Sequence, residues 1–282
     1  AQSRGAQMAR AGGVLFDAKA GVLGPHAGVK WYGYVPDNAA RGLPNFSPVI
    51  VLSETETGLP VAVMDGTWIT EVRTASITAV AAKHLARPES RRVGFVACGA
   101  QARSHLEALR VDFDLRTVVA YSRRRETAEA FAELARGKGL EARSVADPRD
   151  AVTDVDIVVS SVPIRPSRDE FLDASWTSPG TFVSMVDVGF SWRRETLRAF
   201  DRVVTDDVDH GIGSRGLHFG KPIETDLAGI VSALAPGEDA TPRSSAERVA
   251  FIFAGTGLAD VVLASLVFGR ALERGIGRIL PL

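Results

Sequence analysis

The first residues whose types and spacing could do chemistry lie at positions 92–102. A short apolar run ends there in a turn of small residues, Ala97-x-Gly99-x-x-Ala102, and a helix is predicted over residues 101–111. In an open α/β sheet such a turn points the N–H groups of a helix N-terminus at a pyrophosphate. The usual spacing is G-x-G-x-x-G/A, and the first glycine is missing here. Alone, the turn therefore supports nucleotide binding and an ordinary strand-to-helix turn equally.

A basic cluster follows the next predicted strand. The residues are Ser122, Arg123, Arg124 and Arg125, and the first acid after them is Glu126. At this position an acid binds the ribose hydroxyl of NAD, whereas arginine accepts the 2′-phosphate of NADP. Arginines beside a serine can clamp a phosphate through charge-assisted hydrogen bonds. The cluster predicts NADP(H), with NAD(H) and a solvated basic loop as the alternatives.

Three further charged residues are candidates for a site. Lys30 lies in a predicted strand, on the face opposite to Trp31, where most lysines are solvated. Asp187 ends a predicted strand at the carboxyl edge, where sheets of this kind bind ligands. Arg73 opens an alanine-rich helix, either as a surface residue or, with Thr74, as a phosphate ligand. Spacing alone does not decide between these alternatives.

Two groups of predicted elements must position these residues. The first group is β-rich and ends in a helix at 67–85, which Pro88 stops. Its strand-like pieces are 13–17, 28–34, 48–52 and 60–65, with a turn-rich segment at 36–45 and a hairpin turn at 56–58.

The second group alternates strands with helices from Arg92 onward, which predicts a doubly wound parallel sheet with right-handed crossovers. After the strand at 92–96, its strands are 116–121, 141–145, 156–160, 181–186 and 202–205, and one helix is 126–136. A loop with Gly211, Gly213, Gly216 and Gly220, a helix at 227–234 and a helix at 257–275 follow. We expect the last helix to fold back on the β-rich layer.

Composition narrows the class of protein. The 282 residues carry a net charge of −1 with scattered basic residues, so no nucleic-acid or membrane-surface partner is implied. The single cysteine, Cys98, excludes an intramolecular disulfide and suits the cytoplasm. Its place in the turn is explained better by small size beside a ligand than by a nucleophilic role. The sequence begins at Ala1 with neither a methionine nor an evident first element, and we expect an N-terminal segment to precede it.

Taken together, these motifs resemble the ornithine cyclodeaminase/mu-crystallin family. The resemblance extends over nearly the whole chain and is densest from Lys30 to Gln101. The segments that carry it are Gly28-Val29-Lys30, Gly42-Leu43-Pro44, Thr57-Gly58, Ala62-Val63-Met64-Asp65-Gly66, Ile69-Thr70-x-x-Arg73-Thr74-Ala75, Leu85-Ala86-Arg87-Pro88, Gly99-Ala100-Gln101-Ala102 and Gly257-Leu258-Ala259-Asp260.

The resemblance implies a role for each matching residue. Lys30 contacts the substrate carboxylate and the reacting carbon, and Asp187 is the acid beside the substrate amine, where it acts in proton transfer. Arg4 binds the substrate carboxylate, with Arg10 as a competitor for that role. The implied cofactor contacts are Asn45, Arg73, Thr74, Gly99, Ala100, Gln101, Ser122, Arg123, Arg124 and Val162. No metal site is predicted.

The predicted fold class is α/β, a Rossmann-type doubly wound parallel sheet plus a smaller β-rich α+β domain that includes the C-terminal helix. By resemblance, residues 1–90 and 255–282 form the substrate-binding and dimerisation domain, and residues 91–254 form the dinucleotide-binding domain. A homodimer is expected on the same ground.

The implied chemistry is hydride exchange between a nicotinamide and the α-carbon of an amino or imino acid. Because of the arginines after Ser122, we favour an NADPH-dependent reductase of a cyclic ketimine such as pyrroline-2-carboxylate. An amino-acid dehydrogenase, an ornithine cyclodeaminase with bound NAD+, and a non-catalytic protein that binds NADPH and a small ligand are the alternatives. The link from Asp187 to Glu195 is bulkier and longer than the family's, which leaves the substrate open.

Overall fold

The computed structural model describes residues 2–11, 14–35, 37–163, 170–206, 225–226 and 244–279, the first and fifth of these ranges by their backbone alone. The chain divides into two compact units, one of Ala1–Arg73 with Thr256–Leu282 and one of Thr74–Gly255. The division falls inside the predicted helix at 67–85 and not after it. The functional names that we gave to the two domains stay predictions.

The first unit is built on a five-stranded antiparallel sheet in chain order. Its strands are β1 (Gln2–Ala11), β2 (Val14–Leu23), β3 (His26–Tyr34), β4 (Phe46–Glu54) and β5 (Pro60–Asp65). Strand β1 was not predicted, because its small residues show no apolar–polar alternation. The expectation that the sequence begins without a first element is therefore wrong, and the predicted piece at 13–17 extends to Leu23 as β2.

Helix α1 (Thr67–Leu85) begins in this unit, and the C-terminal helix, which we label α4 (Gly257–Glu273), belongs to it entirely. Apolar side chains of β4, α1 and α4 form its core; these are Ile50, Leu52, Ile69, Val261 and Ala264. The expectation that the C-terminal helix packs on the first layer is confirmed.

Two glycines let α4 approach β2 more closely than any side chain would allow. A Cβ on Gly257 would lie 2.2 Å from the carbonyl oxygen of Ala20, and a Cβ on Gly21 would lie 2.8 Å from the backbone of Gly257. The backbone of α4 thus begins in direct contact with the sheet, which fixes the position of every side chain in its first turns.

The second unit contains an eight-stranded parallel sheet in the order β12-β11-β13-β10-β9-β6-β7-β8. In chain order its strands are β6 (Arg92–Val96), β7 (Thr117–Tyr121), β8 (Glu141–Val145), β9 (Ile157–Ser160), β10 (Phe182–Met185), β11 (Arg202–Thr205), β12 (Thr225–Asp226) and β13 (Val249–Ile252). Helices α2 (Ala100–Asp112) and α3 (Arg125–Gly137) follow β6 and β7. All six predicted strands are present, whereas β12 and β13 were not predicted. The predicted helix at 227–234 and the loop with Gly211, Gly213, Gly216 and Gly220 lie outside the described residues.

The strand order reverses at β6. The chain runs from β6 through β7 to β8 on one side and then returns to place β9 and β10 on the other. In open parallel sheets, ligands bind outside the carboxyl ends of the strands at such a reversal. The residues that follow Val96 and Ser160 are therefore the expected ligand-binding residues of this unit. Among the residues that the structure describes, no helix is both long enough and apolar enough to cross a membrane.

Candidate functional site

The turn after β6 has a left-handed backbone at Ala97, whose φ is +72°. Neighbouring strands hold it from both sides. The N–H of Ala97 donates to the carbonyl of Tyr121 at 2.9 Å, and the hydroxyl of Ser161 donates to the carbonyl of Ala97 at 3.1 Å. The alanine thus occupies a conformation that costs an L-residue about 1–2 kcal/mol. The missing glycine of the pattern is a departure that these two contacts make tolerable.

Gly99 caps α2 at its N-terminus, and its conformation (φ −84°) is open to any residue. A Cβ added there would meet no atom within 4 Å, so packing does not require glycine either. The close approach of a ligand to the backbone would require it. Gln101 supports the same interpretation, because its Oε1 is buried without a hydrogen-bond partner in the described structure. The turn therefore fits a dinucleotide phosphate, which Gly99, Ala100 and Gln101 would hold.

The three arginines of the basic cluster after β7, Arg123, Arg124 and Arg125, are all exposed. Arg125 also forms a salt bridge with Glu129 at 2.7 Å within α3. The hydroxyl of Ser122 accepts the N–H of Cys98 at 2.9 Å, which ties the end of β7 to the turn. A phosphate clamp in this region would draw on Arg123 and Arg124, since Arg125 is paired with Glu129.

Cys98 is buried in the turn, and its Sγ lies 3.3 Å from the carbonyl of Tyr121. Burial raises the pKa of this thiol to about 12. The thiolate is the nucleophilic form of cysteine, so a thiol with this pKa is inert. An inert thiol agrees with the interpretation of Cys98 as a small residue that fills space in the turn.

Asp187 follows β10 at the carboxyl edge of the sheet and is buried. Its Oδ1 accepts the hydroxyl of Ser160 and the N–H of Gly189, both at 3.1 Å, and its Oδ2 accepts the hydroxyl of Ser191 at 2.5 Å. The backbone of Val162 is also hydrogen-bonded to the carboxylate. Burial raises the pKa of Asp187 to about 6, although these four hydrogen bonds lower it.

The network around Asp187 continues to Trp192, whose Nε1 donates to Ser160 Oγ at 3.0 Å. Asp187 therefore organises the ends of β9 and β10, and a pKa of about 6 leaves a protonated fraction near neutral pH. Its implied role beside a substrate amine stays a prediction.

In the first unit, Lys30 is fully buried and not solvated as most lysines at strand positions are. Its Nζ lies 2.9 Å from Oδ1 and 2.8 Å from Oδ2 of Asp260, and Arg73 Nε lies 2.9 Å from the same Oδ1. The predicted alternation of β3 is confirmed, because Trp31 is exposed while Lys30 and Tyr32 face the interior. One acid from α4 thus joins a strand lysine to a helix arginine.

The environment of Lys30 shifts its acidity strongly. Burial lowers the pKa of Lys30 from 10.5 to about 7, Arg73 and Lys19 lower it as well, and Asp260 raises it. The ring of Tyr32 lies 5.7 Å from the Nζ. An amine with a pKa near 7 can exchange a proton at neutral pH as well as bind an anion.

A second buried acid, Asp17, lies on the same sheet face. Tyr32 donates its hydroxyl to Asp17 Oδ2 at 2.5 Å. The described buried side chains of this unit then include three basic groups (Lys19, Lys30 and Arg73) and two acidic ones (Asp17 and Asp260).

The remaining predicted residues are less decisive. Asn45 accepts the N–H of Ala39 at 2.8 Å through Oδ1, so it stabilises the turn before β4. Thr74 is buried on α1 beside Arg73. Arg4 lies in β1 opposite Ala20, and Arg10 lies opposite Leu15; their side chains are outside the description. The cofactor and carboxylate roles of these four residues stay predictions.

Sequence reasoning missed the residues that support the predicted ones. These are Asp17, Tyr32, Ser160, Ser161, Ser191, Trp192 and Asp260. Asp260 alone had a usable signal, since it ends the segment Gly257-Leu258-Ala259-Asp260 that carried part of the family resemblance. The others are common residue types without a distinctive spacing.

A parallel sheet whose order reverses at a glycine-containing turn is a Rossmann-type α/β architecture. The family model described as the ornithine cyclodeaminase/mu-crystallin family matches residues 10–275, and the chain belongs to this family.

Similar proteins include an alanine dehydrogenase of Archaeoglobus fulgidus, which is 32% identical over 265 residues; the match covers 89% of this chain and 79% of the relative. Among solved structures, an archaeal alanine dehydrogenase dimer with bound NAD superposes with a TM-score of 0.88 at 29% identity, over 100% of this chain and 88% of that one. The Δ1-pyrroline-2-carboxylate reductase of Thermococcus litoralis, in complex with NADH and L-proline, superposes with a TM-score of 0.87 at 25% identity, over 99% and 90% of the two chains.

Proposed function

We propose that this protein is an NAD(P)(H)-dependent oxidoreductase that interconverts an imino acid and an amino acid, with a cyclic ketimine carboxylate such as pyrroline-2-carboxylate as its substrate. The buried group of Lys30, Arg73 and Asp260 is the observation that carries the proposal. Asp260 holds the Lys30 ammonium at a fixed place in this group, where it can bind a substrate carboxylate. Two similar proteins, named as an alanine dehydrogenase and a pyrroline-2-carboxylate reductase, support this class of reaction.

Each residue has a role that its surroundings allow. Lys30 binds the carboxylate, with Arg4 or Arg10 as a second ligand, and so orients the C=N bond. The reduced nicotinamide, when bound, supplies the hydride that adds to the carbon of this bond. The electron pair of the C=N bond passes to the nitrogen, which takes a proton from Asp187 or from water. The pKa of about 6 of the buried Asp187 permits this donation near neutral pH.

We further propose that the cofactor is NADPH. Arg123 and Arg124 are exposed on the turn after β7, where a 2′-phosphate would lie, and no acid precedes Glu126. The two similar structures carry NAD and NADH, which makes NADH the alternative.

A homodimer is part of the proposal. The archaeal alanine dehydrogenase is a dimer, and the face of the antiparallel sheet opposite Lys30 exposes Trp31, Val49 and Val63. Apolar residues exposed together on a sheet face are typical of a protein interface.

The test is a titration of the purified protein with NADPH and NADH, followed by assays with cyclic ketimine carboxylates, pyruvate with ammonia, and ornithine. We expect stoichiometric oxidation of NADPH with a ketimine. Lys30→Ala should lower kcat/KM by a factor of about 100 or more, because a charge-assisted contact to the substrate is lost. Lys83→Ala, which removes an exposed lysine paired with Asp112, is the control.

Other outcomes point to other functions. Release of ammonia from ornithine without added reductant would identify a cyclodeaminase. If Lys30→Ala and Asp187→Ala match the parent on every substrate, the protein only binds its ligands. Arg123→Ala should weaken NADPH binding and leave NADH binding unchanged, with Arg125→Ala as the matched control; a parent that prefers NADH would overturn the NADPH proposal.

A further inference from the structure

We propose that Asp260 is a positioning residue of the reaction: it fixes the place of the Lys30 ammonium beside Arg73, so that Lys30 is oriented to bind the substrate carboxylate. This inference rests on the proposed function. It assigns a reaction role to a residue on α4, far in sequence from both of its partners.

The geometry of the three side chains carries the inference. Both oxygens of Asp260 lie within 2.9 Å of Lys30 Nζ, and one of them also lies 2.9 Å from Arg73 Nε. All three side chains are buried. Because the three side chains are buried, Lys30 and Arg73 could not hydrogen-bond to bulk water in place of Asp260 if its carboxylate were displaced.

The position of Asp260 is fixed by the start of α4. Thr256 caps the helix by accepting the N–H of Leu258 at 3.0 Å, and Gly257 lies against the backbone of β2. Asp260 is in the first turns of this helix, where the helix dipole stabilises a carboxylate. The carboxylate is therefore held at a fixed depth before any substrate binds.

The charges around Lys30 decide what the loss of Asp260 would do. Arg73 and Lys19 lower the pKa of Lys30, Asp260 raises it, and Tyr32, which is bonded to Asp17, faces the ammonium with its ring. Without the negative charge of Asp260, burial and the two bases remain. The pKa of Lys30 then falls below about 7, and Lys30 becomes neutral at the pH where it must bind an anion.

The experiment is a pH profile of kcat/KM for the parent, Asp260→Asn and Asp260→Glu. In the parent we expect kcat/KM to fall as the pH rises through the pKa of Lys30. We call this fall the alkaline pH limb. In Asp260→Asn the limb should lie lower by about one pH unit or more. KM at pH 7 should rise by about tenfold or more, with a smaller change in kcat. Asp260→Glu keeps the negative charge, so its pH limb should lie close to that of the parent.

A control separates positioning from folding. Asp156 is also a largely buried acid, and it pairs with Arg87 in the second unit. Asp156→Asn should destabilise the protein without moving the pH limb. An unshifted limb together with an unchanged KM in Asp260→Asn would overturn the proposal.

A second measurement does not depend on turnover. The chain has five lysines, so the titration of Lys30 can be followed by NMR on lysine-labelled protein. A lower pKa of Lys30 in Asp260→Asn supports the inference, and an unchanged pKa contradicts it. If the parent turns over no substrate, the proposed function fails while this measurement still decides the effect of Asp260 on Lys30.

Discussion

At the scale of single residues, two buried groups of the second unit have pKa values displaced in opposite directions. His105 is fully buried, with Nδ1 at 2.7 Å from the carbonyl of Gln101 and Nε2 at 3.1 Å from Thr78 Oγ1. Burial lowers the pKa of His105 to about 4, although the bond to Gln101 raises it. Burial raises the pKa of Asp187 to about 6. Their effects on stability between pH 4 and 6 therefore oppose each other.

The sign follows from which state binds more protons. Unfolded His105 takes up a proton below about pH 6.5 while the folded residue stays neutral to about pH 4, so acidification removes stability. Folded Asp187 takes up its proton near pH 6, before the unfolded residue does, so acidification adds stability. At 1.36 kcal/mol per pKa unit, each effect is about 3 kcal/mol.

His105→Gln should therefore change the pH dependence of stability. Between pH 7 and pH 4, its free energy of unfolding should rise relative to the parent by about 3 kcal/mol, since the histidine penalty is gone. Urea unfolding at steps of pH measures this difference, and His84→Gln on α1 is the control. A constant difference between variant and parent over that range would contradict the displaced pKa.

The sequence predicted some of these residues and not others, for a physical reason. The alternation of β3 separated Lys30 from Trp31, but it could not tell which face is buried. That depends on the packing of α1 and α4 against the sheet, and Asp260, which contacts Lys30 from α4, is 230 residues away in the chain. Local spacing carries no record of such a partner, whereas the turn at Gly99 is a local pattern and was predicted.

At the scale of elements, the contact between α4 and β2 determines where Asp260 lies. Gly257→Ala would place a methyl group 2.2 Å from the carbonyl oxygen of Ala20. The start of the helix must then move, at a cost of about 1–3 kcal/mol in unfolding free energy. Since Asp260 moves with it, KM for the substrate should also rise.

Gly269→Ala in the same helix is the matched control. A Cβ there meets nothing within 4 Å, so alanine should stabilise the helix by about 0.5–1 kcal/mol without affecting KM. Thermal unfolding and steady-state kinetics of the two variants decide the matter. Equal behaviour of Gly257→Ala and Gly269→Ala would show that the close approach has no energetic role.

Elements with strong local patterns were predicted well. The central strands of the parallel sheet are apolar and buried on both faces, as in β9 (Ile157–Ser160), and their alternation with helices indicated the doubly wound fold. Strand β13 was missed because it enters the sheet between β10 and β11, out of chain order. Strand β1 was missed because pairing with β2, and not its own composition, makes it a strand.

At the scale of the whole molecule, the exposed apolar sheet face predicts how the protein assembles. Trp31 and Val49 are directly opposite each other on β3 and β4, and Val63 lies on the same face of β5. We define these three residues as the outer sheet face. A twofold dimer would bury the same face of both subunits.

Trp31→Glu should therefore convert a dimer into a monomer at micromolar concentration, because it would bury a charge at the centre of the interface. Val111→Glu changes an even more exposed apolar residue, on α2, and should leave the dimer intact. Sedimentation velocity distinguishes the two states. A monomeric parent, or a Trp31→Glu variant that remains dimeric, would rule out this face as the interface.

The inert thiol of Cys98 has a practical consequence for spectroscopy. It is the sole cysteine of the 282 residues, and with a pKa of about 12 it does not compete for maleimide or iodoacetamide reagents near neutral pH. A cysteine introduced at any exposed position would thus be the only reactive thiol, without removal of the native one. Fluorophores or spin labels can be attached at one chosen place while the turn that holds Cys98 keeps its natural sequence.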